Sequence, residues 1–372
     1  MSRKNKEKKQ HDVTAVYNEI KLDIPEDEVW TYQIEGLKAP MIGGQAETAF
    51  RKKLIVVLIL IVAIGLSIFF SVRAVHNETY QYEQTEDGWM LSKFSNPGNI
   101  NEITIDFAEN DKTKPVSEIR EYAFNCDDKL TSITIGKNVR KIDGKSFYSV
   151  WNLRNIYVDK DNENYCDIDG VLYNKDKTEV ICYPIDHDFY LREQAGYEEE
   201  IWPDNEKYDD AYVEKIQTYR LPETVTKIGE LAFNYANLVK IYLPEGIKTI
   251  DTLAFFKSTS LAEIITYGGE KEYKSLPDSL EFIGSDAFAY DQALTYMYIP
   301  KSVKTIGHHA FWDTCYKQDG EVKGLAAMNV ELSEDALNSS AELGDQWLPK
   351  YDYMLFKKTI DVNYGAAREA VE

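Results

Sequence analysis

The sequence predicts a repeat solenoid, mainly β, in which short strands stack in parallel with a period of 22–23 residues, preceded by one transmembrane helix. Three observations carry this. First, Phe124, Phe147, Phe233, Phe255, Phe288 and Phe311 each follow an alanine or serine inside one frame of apolar slots, V/I-x-x-I-G/D-x-x-A/S-F. Second, five of the six copies continue into L-x-x-I-x-I/L, whose period of two marks a strand with two inward side chains. Third, Leu54–Val72 is a run of 19 uncharged residues, and about 20 apolar residues span a bilayer as a helix.

The chain opens on a polar arm, residues 1–53, starting "MSRKNKEKKQ", which reads as largely disordered. Within it, "KLDIPEDEVWTYQIEGLKAP" interleaves apolar and charged residues, as either a linker or a docking segment for a cytoplasmic partner would. Arg51, Lys52 and Lys53 flank the start of the 54–72 segment and Arg73 alone its end. The positive-inside rule then puts the arm in the cytoplasm and the remainder outside. An arm this long precludes an ordinary cleaved signal peptide. The expectation is therefore a single-pass cell-membrane protein, held in the lipid bilayer by residues 54–72. Residues 73–99 read as a polar tether.

Residues 100–320 are the expected solenoid. Complete copies begin at Val116, Val139, Val225, Ile247 and Leu280, and a sixth begins as "VKTIGHHAFWDTC" at Val303. Adjacent copies offset the phenylalanine by 23, 22 or 23 residues; the step is 33 between Phe255 and Phe288, where "YGGEKEYKSLP" is inserted, and 86 between Phe147 and Phe233. In each copy the phenylalanine points inward; Asn234, next to Phe233, is expected to point out. A hairpin, 165–184, and an acidic insertion, 185–215, separate the second and third copies. Residues 321–372 are expected to cap the end, with "LSEDALNSSAEL" as a short helix and "YDYMLFKKTIDVNY" as one or two strands.

This pattern resembles the bacterial BspA-type leucine-rich repeats over about Ile100 to Gln318. "DGVLYNKD", within Asp167 to Pro184, is similar to a hairpin that interrupts many members of that family. The resemblance implies a cell-surface or secreted binding protein, with adhesion as the family analogy. A transmembrane anchor and cytoplasmic arm depart from it.

Composition and motifs narrow the function. The formal net charge is −21, of which residues 54–372 carry −22, so nucleic acid and other polyanions are repelled. No H-E-x-x-H, G-x-S-x-G, G-x-G-x-x-G or P-loop occurs, so the chain reads as a non-enzyme without cofactor or metal. "DKDNENYCDIDG" has the oxygens of a calcium loop, but Asn164 and Gly170 stand where glycine and glutamate are needed. His308 and His309 fall in variable surface slots. Of the four cysteines, Cys166 and Cys182 flank the hairpin, and either pair or stay separate thiols.

Alternation also predicts a binding face. The outward residue of each closing strand is Thr134, Tyr157, Tyr242, Ile265 or Tyr298. Stacked strands would bring these into a ladder suited to an extracellular protein or glycan ligand, with Tyr157, Tyr242, Ile265 and Tyr298 as candidate binding residues. The function expected is a membrane-anchored extracellular binding or adhesion module. The alternative is an envelope scaffold or signalling component working through its arm.

Overall fold

The computed structural model describes residues 79–371, apart from 125–126, 198–209, 319–320, 326 and 352–357. The arm 1–53 and the apolar segment 54–72 lie outside the described residues. Among the described residues no helix is long and apolar enough to cross a membrane.

Each repeat contributes an opening strand, a turn carrying the phenylalanine, and a closing strand. The opening strands Lys227–Ile228, Thr249–Ile250, Phe282–Ile283, Thr305–Ile306 and Glu342–Leu343 pair in parallel, one rung per repeat. The closing strands Glu102–Ile105, Ser132–Ile135 and Asn155–Val158 form a parallel sheet of their own, as do Thr218–Arg220, Lys240–Pro244 and Glu263–Tyr267. All six predicted phenylalanines are at most 4% exposed. They stack ring on ring: Phe233, Phe255, Phe288 and Phe311 lie 5.1–5.2 Å apart with interplanar angles of 2–9°.

The turns are held by backbone bonds between rungs. Phe233 N–H donates to Ala254 O at 2.7 Å and Tyr235 N–H to Phe256 O at 3.0 Å. Two residues before and two after the phenylalanine, the backbone is left-handed, as at Leu231, Tyr235, Leu253, Lys257, Asp286, Tyr290, His309 and Asp313. Such conformations cost an L-residue about 1–2 kcal/mol each, and the ladder of bonds holds them in place. One expectation is corrected: Asn234 is buried, in a small crevice that it lines with Tyr148, Leu153, Tyr183 and Ile185 at the partition.

The inserted hairpin is a partition. Tyr165–Ile168 pairs antiparallel with Val171–Asn174, which pairs with Glu179–Cys182. Asp169 and Gly170 both have positive φ, the two-residue turn that suits strand twist. Both faces of the hairpin are buried. Val171, Tyr173 and Val180 enter the core of the later repeats, while Tyr165, Leu172 and Ile181 enter the core of the earlier ones. Period-two alternation thus divides the solenoid into two hydrophobic cores. Glu179–Cys182 then serves as an opening strand for Lys227–Ile228. Tyr183 stacks on Phe233 at 5.4 Å, in the place a phenylalanine would hold.

The solenoid extends further than the repeat pattern shows. Residues expected as tether form a hairpin, Tyr80–Thr85 with Gly88–Phe94, and Gly88–Phe94 pairs with Val116–Ile119. Leu91 and Phe94 are buried in the first core, so the tether reading ends at the start of the described chain. At the other end, Glu342–Leu343 opens a seventh rung in which Trp347 replaces phenylalanine; Phe311 N–H donates to its carbonyl at 3.2 Å. A Cβ on Gly344 would strike the backbone of Gly307 and His308, which is why glycine follows the apolar residue here. The expected cap helix is Glu334–Ser340, N-capped by the Ser333 hydroxyl accepting from Ala336 N–H. The expected strand Asp361–Tyr364 closes the seventh rung on Ala327–Val330. The acidic insertion begins and ends in short helices, His187–Ala195 and Asp210–Ile216.

Cys166, Cys182 and Cys315 are free thiols. Cys166 stands opposite Tyr173 and Cys182 opposite Leu172. Burial pushes the Cys182 and Cys315 thiols up to about 12. Since the thiolate is the nucleophile, both are expected to resist iodoacetamide in the native protein and to react on denaturation. Mass spectrometry of the alkylated peptides checks this; native-state labelling of Cys182 would contradict its burial.

Candidate binding surfaces

The closing-strand face is the predicted site. Register places Thr104, Thr134 and Tyr157 side by side. Thr104 is exposed, Thr134 half-buried and Tyr157 38% exposed. Partial burial, with the neighbouring Tyr190, raises the Tyr157 hydroxyl pKa, so it stays a neutral donor and acceptor. The next sheet brings Arg220, Tyr242 and Ile265 into register. The Arg220 guanidinium lies 4.2 Å from the ring centres of both Tyr242 and Tyr267 and pairs with Glu272 at 2.8 Å.

The continuous ladder is broken beyond that point. Ile265 and Tyr298 are each 2% exposed, so neither is an open contact residue. The insertion before Phe288 folds back as Tyr273–Lys274, antiparallel to Glu263–Tyr267, and sets Lys274 opposite Ile265. Tyr298 consequently pairs elsewhere, with Asn329. The C-terminal residues complete the covering: Glu369–Ala370 adds to Tyr273–Lys274, and the Tyr298 hydroxyl reaches Ala366 O at 3.5 Å. Arg368 fastens this segment through Glu245 at 2.8 Å, Asp278 at 2.7 Å and the Ser275 hydroxyl at 2.7 Å. The structure therefore joins Thr134 to Tyr157, and Tyr242 to Ile265, but brings no three of the predicted residues into one open row.

A second surface was not legible in the repeat pattern. On the turn side, Trp151 meets Tyr235 at 4.8 Å between ring centres, Tyr235 meets Phe256 at 6.2 Å, and Phe256 meets Tyr290 at 5.5 Å. Lys257 Nζ stands 5.3–5.4 Å from the last three rings. Trp151 is 40% exposed and the other rings are half-buried. The signal was one aromatic residue one to four positions after each of several phenylalanines.

No group of three His, Cys, Asp or Glu placed to hold a metal ion gathers among the described residues. In the acidic loop, Asn162 is buried and its amide donates to Gly136 O and Val139 O, so it serves the turn. A cleft of about 270 Å³ is lined by Arg140, Ile142, Tyr165, Glu179 and Glu230 at the partition.

Stacked rungs around two apolar cores, with chemistry confined to outer faces, define a leucine-rich repeat solenoid. The chain belongs to the BspA type leucine rich repeat region family, whose model matches residues 88–169 and 210–318 in six copies. No curated protein matches the chain. Among solved structures, it is similar to a leucine-rich repeat protein from Eubacterium ventriosum, at 20% identity over 63% of this chain and 59% of that one, with a TM-score of 0.36. It is also similar to the pneumococcal vaccine antigen PcpA, at 18% identity over 72% and 69% of the two chains, TM-score 0.39. A leucine rich cell surface protein from Faecalibacterium prausnitzii matches at 15% identity over 71% and 96%, TM-score 0.32.

Proposed function

We propose that this protein is a non-enzymatic, membrane-anchored binding module that presents its repeat domain outside the cell. The apolar segment 54–72 and its basic flank support the anchor and the orientation. The observation that carries the binding role is the open row Thr104, Thr134 and Tyr157 on a parallel sheet. It offers an extended protein segment two hydroxyls and an aromatic ring at strand spacing. Tyrosine in such a setting supplies contact area and a hydrogen bond at low entropic cost.

Two measurements test this. Protease added to intact cells should digest the repeat domain and leave a membrane-bound stub; protection of the repeat domain would reverse the orientation. In a pull-down from whole-cell surface extract with the full-length protein, Tyr157→Ser should weaken capture of its protein partner at least tenfold while the melting temperature stays near wild type. Unchanged capture would remove this row as the contact. Deleting residues 1–45 should leave that capture intact.

A further inference from the structure

We propose that the groove under residues 365–371 is a recognition site for an extended segment of another protein with the pattern small–x–Arg–x–small, and that residues 365–371 are a strap filling it until such a segment displaces them.

The first ground is the chemistry of the contact. Each nitrogen of the Arg368 guanidinium meets a different acceptor. Nε–H donates to the Ser275 hydroxyl at 2.7 Å, one terminal nitrogen donates to Asp278 at 2.7 Å, and the other pairs with Glu245 at 2.8 Å. The group also lies 4.2 Å from the centre of the Tyr273 ring. The pocket's own bonds set this shape: the second oxygen of Glu245 accepts from Asp278 N–H at 2.9 Å, and Ser275 is buried. A planar fork of donors that also stacks on a ring is what arginine supplies and lysine does not. Arg368 is the one ion-pair partner of Glu245 and of Asp278 among the described residues, so the emptied groove presents both carboxylates to an incoming cation.

The second ground is the backbone. Glu369–Ala370 runs antiparallel to Tyr273–Lys274, Val371 N–H donates to Glu272 O at 2.9 Å, and Ala366 N–H donates to Val330 O at 3.0 Å. Strand addition of this kind is how a sheet edge takes up an extended peptide, with pockets for alternate side chains setting the choice. Along the strap, Ala366, Arg368 and Ala370 are half-buried while Ala367 and Glu369 are exposed. The inward places therefore read small, arginine, small.

The third ground is how lightly the strap is held. None of residues 365–371 is buried, and none enters either core. The strap covers the closing-strand face without building it; Tyr298, outward by alternation, lies beneath it with its hydroxyl directed to Ala366 O. A segment with few buried apolar contacts opens at a small fraction of the global unfolding cost. The chain leaves the seventh rung at Gly365, where a φ of 70° turns it back and glycine adopts other conformations freely. The groove belongs to the sheet of Tyr242 and Ile265, apart from the sheet of Thr104, Thr134 and Tyr157, and does not depend on that row.

The test uses the full-length protein, a variant lacking residues 365–372, and Arg368→Gln in the otherwise intact chain. The probe is a labelled, end-capped peptide of sequence GAAREAV, followed by fluorescence anisotropy. Both variants should bind it at least tenfold more tightly than wild type, whose strap competes. Lysine in place of the peptide's arginine should weaken binding at least tenfold, and Asp278→Asn in the strapless protein severalfold. Tyr157→Ser should leave it unchanged. The strapless protein should melt near the wild-type temperature. Absence of binding to both variants overturns the proposal, as does equal binding to wild type or equal binding of the lysine peptide. A fall in melting temperature as large as that of Phe255→Ala would make the strap part of the core and overturns it too. Concentration-dependent association of wild-type chains that the deletion abolishes would give the groove to the strap of a second copy and overturn the assignment to a foreign segment.

Discussion

Phe255→Ala is expected to destabilise the repeat domain by about 3–5 kcal/mol, the range for removing a fully buried phenylalanine. Phe255 is 1% exposed and lies between two rings, each 5.1 Å away. Its truncation opens a cavity in the column and removes two offset stacks, each worth about 0.5–1.5 kcal/mol beyond burial. Phe256→Ala, one residue on, removes a half-buried ring from the turn surface and should cost clearly less. Chemical denaturation of the two variants checks the ordering. Equal losses would mean that the column does not carry the core.

The partition sets where the damage falls. Solenoid stability is close to a sum of repeat terms and nearest-neighbour interfaces. The hairpin divides the rungs into two cores, one around Phe124 and one around Phe255. Amide exchange in Phe255→Ala should therefore accelerate first in the later repeats, and in Phe124→Ala in the earlier ones.

The same column shows what the sequence discloses. Six phenylalanines were readable because each is preceded by a small residue and ends the same frame of apolar slots. Phe94, Tyr183 and Trp347 occupy equivalent places, but lysine, cysteine and glutamine precede them. Their membership is fixed by pairing between rungs, as when Phe94 N–H donates to Ala123 O at 2.7 Å. The closing-strand face was half readable. Alternation is a local property, so Tyr157 and Tyr242 point out as expected. Covering is not local: Ile265 is enclosed beside a strand folded back from the 267–277 insertion, and Tyr298 lies under residues close to the C-terminus. Of the turn-side rings, Tyr235 and Tyr290 escaped because left-handed residues obey neither the helical period nor that of a strand. Nothing in the spacing of Trp151 and Tyr235, on either side of a long insertion, announces that they touch.

Asp291→Ser is expected to stabilise the protein at neutral pH. Asp291 stands three residues after Phe288 and is fully buried, and neither carboxyl oxygen has a hydrogen-bond partner among the described residues. The Ser258 N–H beside it is already given to Phe255 O at 2.9 Å. Burial therefore raises its pKa well above the ordinary 3.8. The sign follows from proton binding. Above the unfolded value, the native state holds a proton that the unfolded state releases, so stability falls as pH rises until the native group itself ionises. At neutral pH the wild type bears this cost in full or in large part. The neighbouring repeats show the remedy at the equivalent slot: the Ser258 hydroxyl donates to Phe233 O at 2.6 Å and the Thr314 hydroxyl to Phe311 O at 2.9 Å. Serine at 291 removes the buried carboxyl and supplies a donor that the fold already accommodates. A gain of at least ~1–3 kcal/mol, the cost of one unsatisfied buried polar group, is the expected size. Thermal melts of both proteins across acidic to neutral pH decide it. The melting temperatures should diverge as pH rises and converge below the ordinary carboxylate range. A difference that is constant with pH would show that the carboxyl of Asp291 does not titrate with folding.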